Sequence, residues 1–420
     1  MSAIIIRGGR PLSGSLTVQG AKNSVLPILA ATLLSGEVCR IRHCPRLRDV
    51  ETAMEILRHL GCRADWQGRD LLVDAADLTR WDVPDHLMSR MRSSVVFLGA
   101  ILARCGQAEM SYPGGCELGP RPIDMHLDAL RQMGAHFSVH GGQLDCTAPE
   151  GLHGAGIHLP FPSVGATENV MLAAVLAEGR TVLHNAAREP EICDLAAFLR
   201  GCGADISGDG ESTIVISGVR KLRGSRHTIM PDRIVAATIL CAAAACGGEV
   251  ELQDVDPAHF STVLDSLSEA GCAIITTASA VRLTSDGQLT APRPVVTQPY
   301  PGFPTDAQPP LMAACLRAKG TTVFTENIFT NRYRHAEEFR RLGAAVSIEG
   351  RVAYVTGVER LTGAPLTASD LRGGAAMLVA GLCAEGATEL LDNGYIDRGY
   401  DRFDACLSAL GADVRCAAPR

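Results

Sequence analysis

The chain has 420 residues, 46% of them hydrophobic and 20% charged, which is ordinary for a soluble globular protein but too long for a single core. Its formal net charge of −7 argues against a general binder of nucleic acid or of membrane surfaces. The longest apolar run, residues 234–246, is too short to cross a bilayer, and the N-terminus lacks the pattern of a secretory signal peptide. We therefore expect at least two domains, no membrane partner and no nucleic-acid partner.

Cysteine and lysine usage carry further information. The fifteen cysteines include no CxxC pair, so we expect reduced thiols in a cytoplasmic protein, most of them buried as small hydrophobic side chains. Among 39 basic residues only Lys22, Lys221 and Lys319 are lysines, so a surviving lysine is a hint that its ammonium is needed, although chance also explains the last two. No histidines have the spacing of a metal-ligand set, and His136 and His140 are predicted on an exposed strand edge.

An internal repeat organises the whole chain. A helical apolar stretch that ends in glycine recurs six times, at Gly61, Gly134, Gly203, Gly271, Gly343 and Gly411. A second glycine ends another apolar stretch before a strand, at Gly36, Gly106, Gly179, Gly248, Gly320 and Gly386. Both series have a period of about 70 residues, which predicts six copies of one structural unit.

Each copy is predicted to contain one surface helix, one buried helix and a sheet. In the first copy, residues 50–60 have apolar side chains at helical spacing, with Asp49 as the N-cap and Gly61 as the stop. Residues 22–36 are apolar nearly all round, which is typical of a buried helix, and residues 346–355 alternate around Gly350 as in a hairpin. Three copies make a domain of ordinary size, so we expect two such domains to fill the chain.

Charged residues recur at one phase of this repeat. Fourteen residues before the second glycine lie Lys22, Arg92, Gly165, Ile234, Asp306 and Arg372. These positions are predicted helix starts, where a cation opposes the helix dipole and therefore suggests a binding role. Helix N-termini combined with arginine and lysine bind anions, so two facing domains would enclose a cationic cleft; the alternative is scattered surface charge.

Two further segments are candidates for chemistry. Cys116 lies in a loop with Gly114 and Gly115 before it and Arg121 after it, which is typical of a mobile loop with a reactive thiol. Asp306 lies in GFPTDAQPP, where Thr305 or Asp306 could simply cap a helix. As the one carboxylate at the charged phase, Asp306 could instead act as a general base toward a hydroxyl group.

The motifs also support a family resemblance over the full length. The segments GAKNSVLPILAA, MRSS, PGGCELGPRPIDMH, PSVGATEN, NAAREPEI, MPDRI, FPTDAQ, ENIF, DLR and IDRGY closely resemble the bacterial UDP-N-acetylglucosamine enolpyruvyl transferases. The resemblance implies a two-domain inside-out α/β barrel with three repeats per domain. In that fold the first strand belongs to the C-terminal domain, so we expect domains at 22–230 and at 1–21 with 231–420. It also implies enolpyruvyl transfer from phosphoenolpyruvate to the 3-hydroxyl of UDP-N-acetylglucosamine, without metal or other cofactor.

The resemblance implies a role for each site residue. Lys22, Asn23, Arg121 and Arg398 would surround the phosphate of phosphoenolpyruvate, and Arg332 and Arg372 would hold its carboxylate. Cys116 would protonate the methylene carbon or form a thioether adduct, and Asp306 would take the proton of the sugar hydroxyl. The residues that would contact the nucleotide sugar are Arg92, Arg121, Pro122, Ile123, Asp124, Met125, Phe161, Pro162, Ser163, Val164, Gly165, Asp306 and Ile328. Several fixed cations suit an intermediate that carries both phosphate and carboxylate.

The chain departs from the family pattern at Val235, Ala237, Thr330 and Gly373, where glutamate, glycine, glutamate and alanine are expected. These departures raise the alternative of a catalytically silent paralogue that binds UDP-sugars. The shikimate-pathway enolpyruvyl transferase shares the repeats but lacks the cysteine loop. RNA 3′-phosphate cyclases have related units, but the acidic charge and the absence of nucleotidylation signals disfavour them.

Overall fold

The computed structural model describes residues 2–111 and 123–417, which divide into two compact units. The N-terminal unit contains residues 20–111 and 123–230, and the C-terminal unit contains residues 2–19 and 231–417. Each unit has its own hydrophobic core. The longest helix in the described part of the chain has 14 residues, and none there is long and apolar enough to cross a membrane.

The strands are β1 (Ser2–Arg7), β2 (Leu12–Thr17), β3 (Val38–Arg42), β4 (Arg63–Gln67), β5 (Asp70–Asp74), β6 (Asp82–Val83), β7 (Gln107–Ser111), β8 (His136–His140), β9 (Gln143–Thr147), β10 (Gly156–His158), β11 (Arg180–His184), β12 (Asp205–Ser207), β13 (Thr213–Ser217), β14 (Arg226–Thr228), β15 (Gly248–Gln253), β16 (Ala273–Thr276), β17 (Ala280–Ser285), β18 (Val295–Val296), β19 (Thr321–Thr325), β20 (Ala345–Glu349), β21 (Val352–Thr356), β22 (Pro365–Thr367), β23 (Ala387–Asp392) and β24 (Asp413–Ala417).

The α-helices are α1 (Lys22–Ala31), α2 (Arg48–His59), α3 (Asp85–Arg90), α4 (Phe97–Cys105), α5 (Asp124–Gln132), α6 (Val164–Ala174), α7 (Pro190–Gly201), α8 (Arg233–Cys246), α9 (Ser261–Glu269), α10 (Gln308–Ala314), α11 (His335–Arg341), α12 (Leu371–Leu382) and α13 (Phe403–Ala409). Short 3₁₀ turns at Arg92–Val96, Thr305–Ala307 and Ile396–Arg398 precede or replace helical starts near the candidate site.

The described residues form six four-stranded sheets, three in each unit, and this confirms the six-copy repeat. The N-terminal unit has the orders β14-β3-β5-β4, β6-β7-β9-β8 and β10-β11-β13-β12, each with one parallel pair at an edge. In the C-terminal unit, β1 lies between β23 and β24 and pairs with both in antiparallel fashion. The first strand of the chain therefore completes the last repeat, as the resemblance implied.

The helices divide into buried and surface classes as the sequence predicted. The buried helices are α1, α4 and α6 in the N-terminal unit and α8, α10 and α12 in the C-terminal unit; in α8 every residue from Arg233 to Ala245 is buried. Surface helices separate consecutive buried helices along the chain. The predicted hairpin of the fifth copy is β20 and β21, and His136 and His140 lie exposed on the edge strand β8, as expected.

The glycine landmarks share a backbone conformation. All twelve have positive φ, between 59° and 113°. In the surface-helix series the amide after each glycine bonds back over the helix end, as Cys62 N does to Leu57 O at 2.9 Å and Ala412 N to Leu407 O at 3.1 Å. A left-handed residue is needed to close such a cap, and glycine adopts it without a Cβ clash.

One local prediction was wrong. Helix α2 begins at Arg48 with Leu47 as its N-cap, so Asp49 lies inside the first turn and does not cap it. The carboxylate of Asp49 instead contacts the ammonium of Lys22, with Nζ 2.9 Å from Oδ2. A tertiary ion pair therefore uses a residue whose local sequence looked like a cap.

Candidate active site

The residues at the charged repeat phase lie at helix starts, as predicted. Lys22 begins α1, Arg92 begins the 3₁₀ turn before α4, and Gly165, Ile234 and Arg372 are the second residues of α6, α8 and α12. Asp306 lies in the 3₁₀ turn that leads into α10. In the C-terminal unit, α8, α10 and α12 pack against one another, α8 also contacts the Thr305–Ala307 turn, and Asp306 contacts Arg372, so these starts lie close together.

Among these helix starts of the C-terminal unit, the carboxylate of Asp306 contacts two arginine side chains. Arg332 donates from Nη2 to Oδ1 at 3.1 Å, and Arg372 donates from Nε to Oδ2 at 3.2 Å. The two arginine side chains are only 1% and 3% exposed, whereas that of Asp306 is 26% exposed. Neither Thr305 nor Asp306 caps the turn with its side chain, because Pro304 is its N-cap. These contacts therefore indicate that Asp306 forms ion pairs with the two arginines and does not cap the turn.

Both arginines keep buried N–H groups that have no hydrogen-bond partner in the described part of the chain. Within residues 2–111 and 123–417, Nε of Arg332 and Nη1 of Arg372 are buried and have no hydrogen-bond partner. A buried guanidinium donor without a partner carries a desolvation cost, so its retention points to an anionic ligand. Arginine is the side chain whose geometry best matches a carboxylate.

The ring of Tyr400 packs against the guanidinium group of Arg372. The guanidinium carbon of Arg372 lies 5.3 Å from the centre of the Tyr400 ring, and the Tyr400 hydroxyl is 3.0 Å from Oγ1 of Thr238 on α8. Burial alone would lower the pKa of Arg372, but Tyr400, Asp306 and Asp232 together raise it above its ordinary value. Arg372 is thus held charged and in place, and Tyr400 is a positioning residue that sequence reasoning missed, although it lies within IDRGY.

The turn that carries Ile328 is built on a buried glutamate. Glu326 is 1% exposed and accepts hydrogen bonds from the amides of Ile328 at 2.8 Å and Phe329 at 2.9 Å. Its other oxygen accepts from the hydroxyl of Thr305 at 3.0 Å. One carboxylate therefore connects the Ile328 turn to the turn that carries Asp306.

The family departures lie in or near these helix starts. Val235 and Ala237 are buried in α8, where Asp232 accepts from the Val235 amide at 3.0 Å, and Thr330 is exposed. Asp370 caps α12 by accepting from the amides of Arg372 at 3.1 Å and Gly373 at 3.0 Å. These substitutions leave the contacts among Asp306, Arg332 and Arg372 in place. Arg398 is half-buried in the 3₁₀ turn two residues before Tyr400.

In the N-terminal unit, Lys22 is the best-defined candidate. Its side chain is 11% exposed, and its partner Asp49 on α2 is 2% exposed. Asn23 follows it, half-buried, in the first turn of α1. An ammonium at the N-terminal end of a ten-residue helix adds a point charge to the positive end of the helix dipole, which is a favourable arrangement for phosphate.

The buried side-chain amide of Asn169 connects the segments that carry the nucleotide-sugar candidates. Asn169 on α6 donates from Nδ2 to Nδ1 of His126 at 2.9 Å and lies within hydrogen-bond distance of the carbonyls of Val95 and Gly165. Its Oδ1 accepts from the Gly99 amide at 2.7 Å. Burial lowers the pKa of His126 to about 4, so the ring is neutral and accepts at Nδ1. This network connects the starts of α4, α5 and α6.

The candidates around that network differ in exposure. Ile123 is buried, Met125 is half-buried and Asp124 is exposed. Phe161 is 42% exposed, Pro162, Ser163, Val164 and Gly165 are half-buried, and Ser163 caps α6 by accepting from the Ala166 amide. Sequence reasoning named these residues but missed His126 and Asn169, which lie inside PIDMH and PSVGATEN and show no periodic signal.

Three candidates, Cys116, Arg121 and Pro122, lie outside the described residues, and of Arg92 only the backbone position is described. Of the other fourteen cysteines nine are buried, which confirms the expectation for most of the thiols. No group of three or more histidine, cysteine or acidic residues in the described ranges could hold a metal ion.

Comparison with known proteins gives a consistent relationship. Residues 6–407 match the family model described as EPSP synthase (3-phosphoshikimate 1-carboxyvinyltransferase). The chain is 48% identical over 414 residues to UDP-N-acetylglucosamine 1-carboxyvinyltransferase 2 of Caldanaerobacter subterraneus, with 99% of each chain covered. It is 46% identical over 415 residues to the UDP-N-acetylglucosamine 1-carboxyvinyltransferase of Nitratidesulfovibrio vulgaris, again with 99% of each covered.

Solved structures support the same fold. The enolpyruvyl transferase NikO from Streptomyces tendae aligns over 100% of both chains with a TM-score of 0.88 and 27% identity. An EPSP synthase from Acinetobacter baumannii aligns over 100% of both chains with a TM-score of 0.75, and its 19% identity supports the fold alone. The two-domain inside-out α/β fold expected from the sequence is confirmed.

Proposed function

Because the chain belongs to the EPSP synthase family of enolpyruvyl transferases, we propose that it transfers the enolpyruvyl group of phosphoenolpyruvate to the 3-hydroxyl of UDP-N-acetylglucosamine. The hydroxyl oxygen bonds to the second carbon of phosphoenolpyruvate while the methylene carbon takes up a proton. Loss of phosphate and of a proton from that carbon then restores the double bond. The relatives at 46–48% identity support this acceptor over shikimate 3-phosphate.

The observation that carries the proposal is the pair of buried arginines at Asp306. Arg332 and Arg372 each donate to Asp306, and each keeps a buried N–H group that has no partner among the described residues. We assign these groups to the carboxylate of phosphoenolpyruvate. Fixed cations next to the reacting carbon also stabilise the charge of the tetrahedral intermediate without reorganisation.

Asp306 is the group that we assign to the acceptor hydroxyl. Two guanidinium groups in contact favour the ionised form of a carboxylate, so Asp306 is suited to accept a proton. Its partial exposure leaves room for a hydroxyl to approach. The same two contacts make Asp306 a weaker base. A weaker base suffices because the hydroxyl loses its proton while its oxygen forms the new bond.

The phosphate is assigned to Lys22, Asn23, Arg121 and Arg398. Lys22 and Asn23 lie at the N-terminal end of α1, where backbone N–H groups and the helix dipole add to the ammonium charge. Cys116 is assigned to proton delivery at the methylene carbon, or to a thioether adduct with it. Arg92, Ile328 and the segments 121–125 and 161–165 are assigned to the nucleotide sugar. Every step uses the chain's own residues, and we propose no metal or other cofactor.

The biological setting follows from the reaction. Enolpyruvyl transfer to UDP-N-acetylglucosamine is the first committed step of peptidoglycan synthesis, so we place this protein in the cytoplasm and in cell-wall biogenesis, on which cell shape and division depend. Fosfomycin combines a phosphonate with an electrophilic epoxide and resembles phosphoenolpyruvate in its anion. We therefore propose that it is an inhibitor of this protein.

Phosphate release with different acceptors tests the proposal. Phosphoenolpyruvate alone, with UDP-N-acetylglucosamine and with shikimate 3-phosphate should give release only in the second mixture. A matched Asp306→Asn preparation controls for contaminating phosphatase, because it keeps the shape of the site but removes the proposed base. Release with shikimate 3-phosphate instead would reassign the acceptor. Tight sugar binding without release in any mixture would indicate the silent paralogue.

A further inference from the structure

Helix α1 starts without an ordinary cap. Its N-cap is Ala21, whose side chain cannot accept a hydrogen bond, and Pro27 inside the helix lacks the N–H that would bond to the Asn23 carbonyl. The first turn, which carries Lys22 and Asn23, is therefore weakly held by the helix itself. Contacts from elsewhere in the N-terminal unit must fix it.

The carboxylate of Asp194 on α7 makes those contacts. Its Oδ2 accepts from the hydroxyl of Ser24 and from the amide of Met230, the latter at 3.2 Å. The Met230 carbonyl in turn accepts from the Ala21 amide at 2.8 Å. One carboxylate thus holds α1 directly through Ser24 and indirectly through Ala21, on both sides of Lys22.

Burial makes this arrangement strong and specific. Ser24 is fully buried, and the side chain of Asp194 is 12% exposed. Nε2 of His227 lies 2.8 Å from Oδ1 of Asp194, so the second carboxylate oxygen is also occupied. Hydrogen bonds to a charged acceptor in such surroundings are stronger than those between neutral groups.

A second carboxylate contacts the side-chain ammonium of Lys22. Asp49 on α2 contacts the ammonium, whereas Asp194 on α7 anchors the backbone turn from which the side chain extends. Helix α1 packs against both α2 and α7. The position of the ammonium is therefore set by two acidic residues from two different surface helices.

We propose that Asp194, acting through Ser24, is a positioning residue for Lys22. The proposal rests on the proposed function in one respect, namely that Lys22 binds the phosphate of phosphoenolpyruvate. Asp194 touches no reacting atom; it fixes the first turn of α1 so that the ammonium and the helix N-terminus face the phosphate in one arrangement. An alternative in which Asp194 only anchors α7 to β14 through His227 predicts lower stability without a change at Lys22.

Two variants and a matched control separate these possibilities. Ser24→Ala removes one hydroxyl and leaves the contacts of Asp194 with His227 and Met230 intact, and Asp194→Asn weakens all of them. Asp209→Asn is the control, because it disrupts the ion pair with Arg200 on the same helix α7 but does not touch Asp194. Steady-state kinetics should show the KM for phosphoenolpyruvate raised by about tenfold in Ser24→Ala, with the KM for UDP-N-acetylglucosamine unchanged. Asp209→Asn should match the parent protein.

The small number of lysines allows a readout that is independent of activity. Lys22, Lys221 and Lys319 are the chain's three lysines, and the last two are exposed. Competitive acetylation with peptide mapping should show a changed Lys22 rate in Ser24→Ala and Asp194→Asn, with Lys221 and Lys319 as internal references.

The outcomes distinguish the positioning role from the proposed function. An unchanged Lys22 rate together with an unchanged KM for phosphoenolpyruvate would overturn the positioning role, even if the melting temperature falls. If the parent protein releases no phosphate, the proposed function fails, and the acetylation rate of Lys22 alone then supports or overturns the positioning of the lysine.

Discussion

The carboxylate of Asp306 is shared by two buried guanidinium groups, and this contact determines what its replacement should do. Asp306→Asn keeps the side-chain shape but removes the proton acceptor. We expect turnover to fall by about 10²–10⁴, because a positioned base contributes on that order, and the KM for phosphoenolpyruvate to rise by a smaller factor, because asparagine cannot accept from both Arg332 and Arg372. Steady-state phosphate release measures both. Turnover near that of the parent protein would remove Asp306 from the proposed chemistry.

Cys116 is expected to be the single target of fosfomycin among fifteen cysteines. Burial raises the pKa of most described thiols, for example that of Cys315 to about 12. The pKa of Cys39 is shifted in the opposite direction, to about 7, because of a hydrogen bond from Cys202, but its side chain is fully buried. Intact-mass measurement and peptide mapping should show one adduct, on Cys116. The Cys116→Asp variant should escape labelling and keep measurable activity, since a carboxyl group still delivers a proton. An adduct on Cys39 would contradict the assignment.

His126 gives the fold a sensitivity to acid. Burial lowers its pKa from 6.5 to about 4, so above pH 6.5 the ring is neutral in both the folded and the unfolded state. As the pH falls from 6.5 to 4, only the unfolded state takes up the proton, and stability is lost, by roughly 3 kcal/mol in total. Urea unfolding of His126→Gln should therefore show a shallower loss of stability between pH 7 and pH 4 than the parent protein. Equal slopes would mean that the ring is not held neutral by the fold.

At the scale of the elements, one repeated glycine position offers an internally controlled experiment. Gly61 and Gly343 both end surface helices with positive φ, of 104° and 90°. A Cβ at Gly343 would meet nothing within 4 Å, whereas a Cβ at Gly61 would lie 2.5 Å from the carbonyl oxygen of Asp77. Gly343→Ala should therefore cost about 1–2 kcal/mol from the backbone conformation alone, and Gly61→Ala should cost more. Denaturant unfolding of both variants measures the difference, and the reverse order would contradict the steric argument.

A hydroxyl pair joins the buried helix α8 to the turn that carries Tyr400, and it can be tested in the same way. The Tyr400 hydroxyl bonds to Thr238, which also donates to the Ile234 carbonyl at 2.8 Å. Tyr400→Phe should cost about 1 kcal/mol, because Thr238 keeps its second partner. A double-mutant cycle with Thr238→Val should return a coupling energy of that size. Additive losses would mean that the two hydroxyls do not interact.

At the scale of the whole molecule, the sequence predicted the features that depend on residues close together in the chain. The six repeats could be identified because each surface helix ends at a residue with positive φ, a conformation that only glycine adopts easily. The helix starts followed from the same period. Asp49 was misassigned because a first-turn acid looks like a cap, and its true partner, Lys22, lies 27 residues away, at a distance no local pattern reports.

Other contacts were missed for the same reason. Ser24 and Asp194 are 170 residues apart, and His126 and Asn169 are 43 apart. Each pair forms because separate repeats pack their helices together, and single-sequence periodicity carries no information on such pairings. The motifs identified the residues proposed to touch the substrates, whereas the residues that hold them in position required the structure.

The central claim is enolpyruvyl transfer to UDP-N-acetylglucosamine, and following the transferred carbons tests it most directly. Phosphoenolpyruvate labelled with ¹³C at its second carbon should be incubated with the full-length protein and the nucleotide sugar, and the mixture examined by NMR. We predict that the label appears in an enol ether at the 3-oxygen of the sugar, with one phosphate released for each label transferred. Label that remains in phosphoenolpyruvate while the sugar is bound would contradict the proposed function.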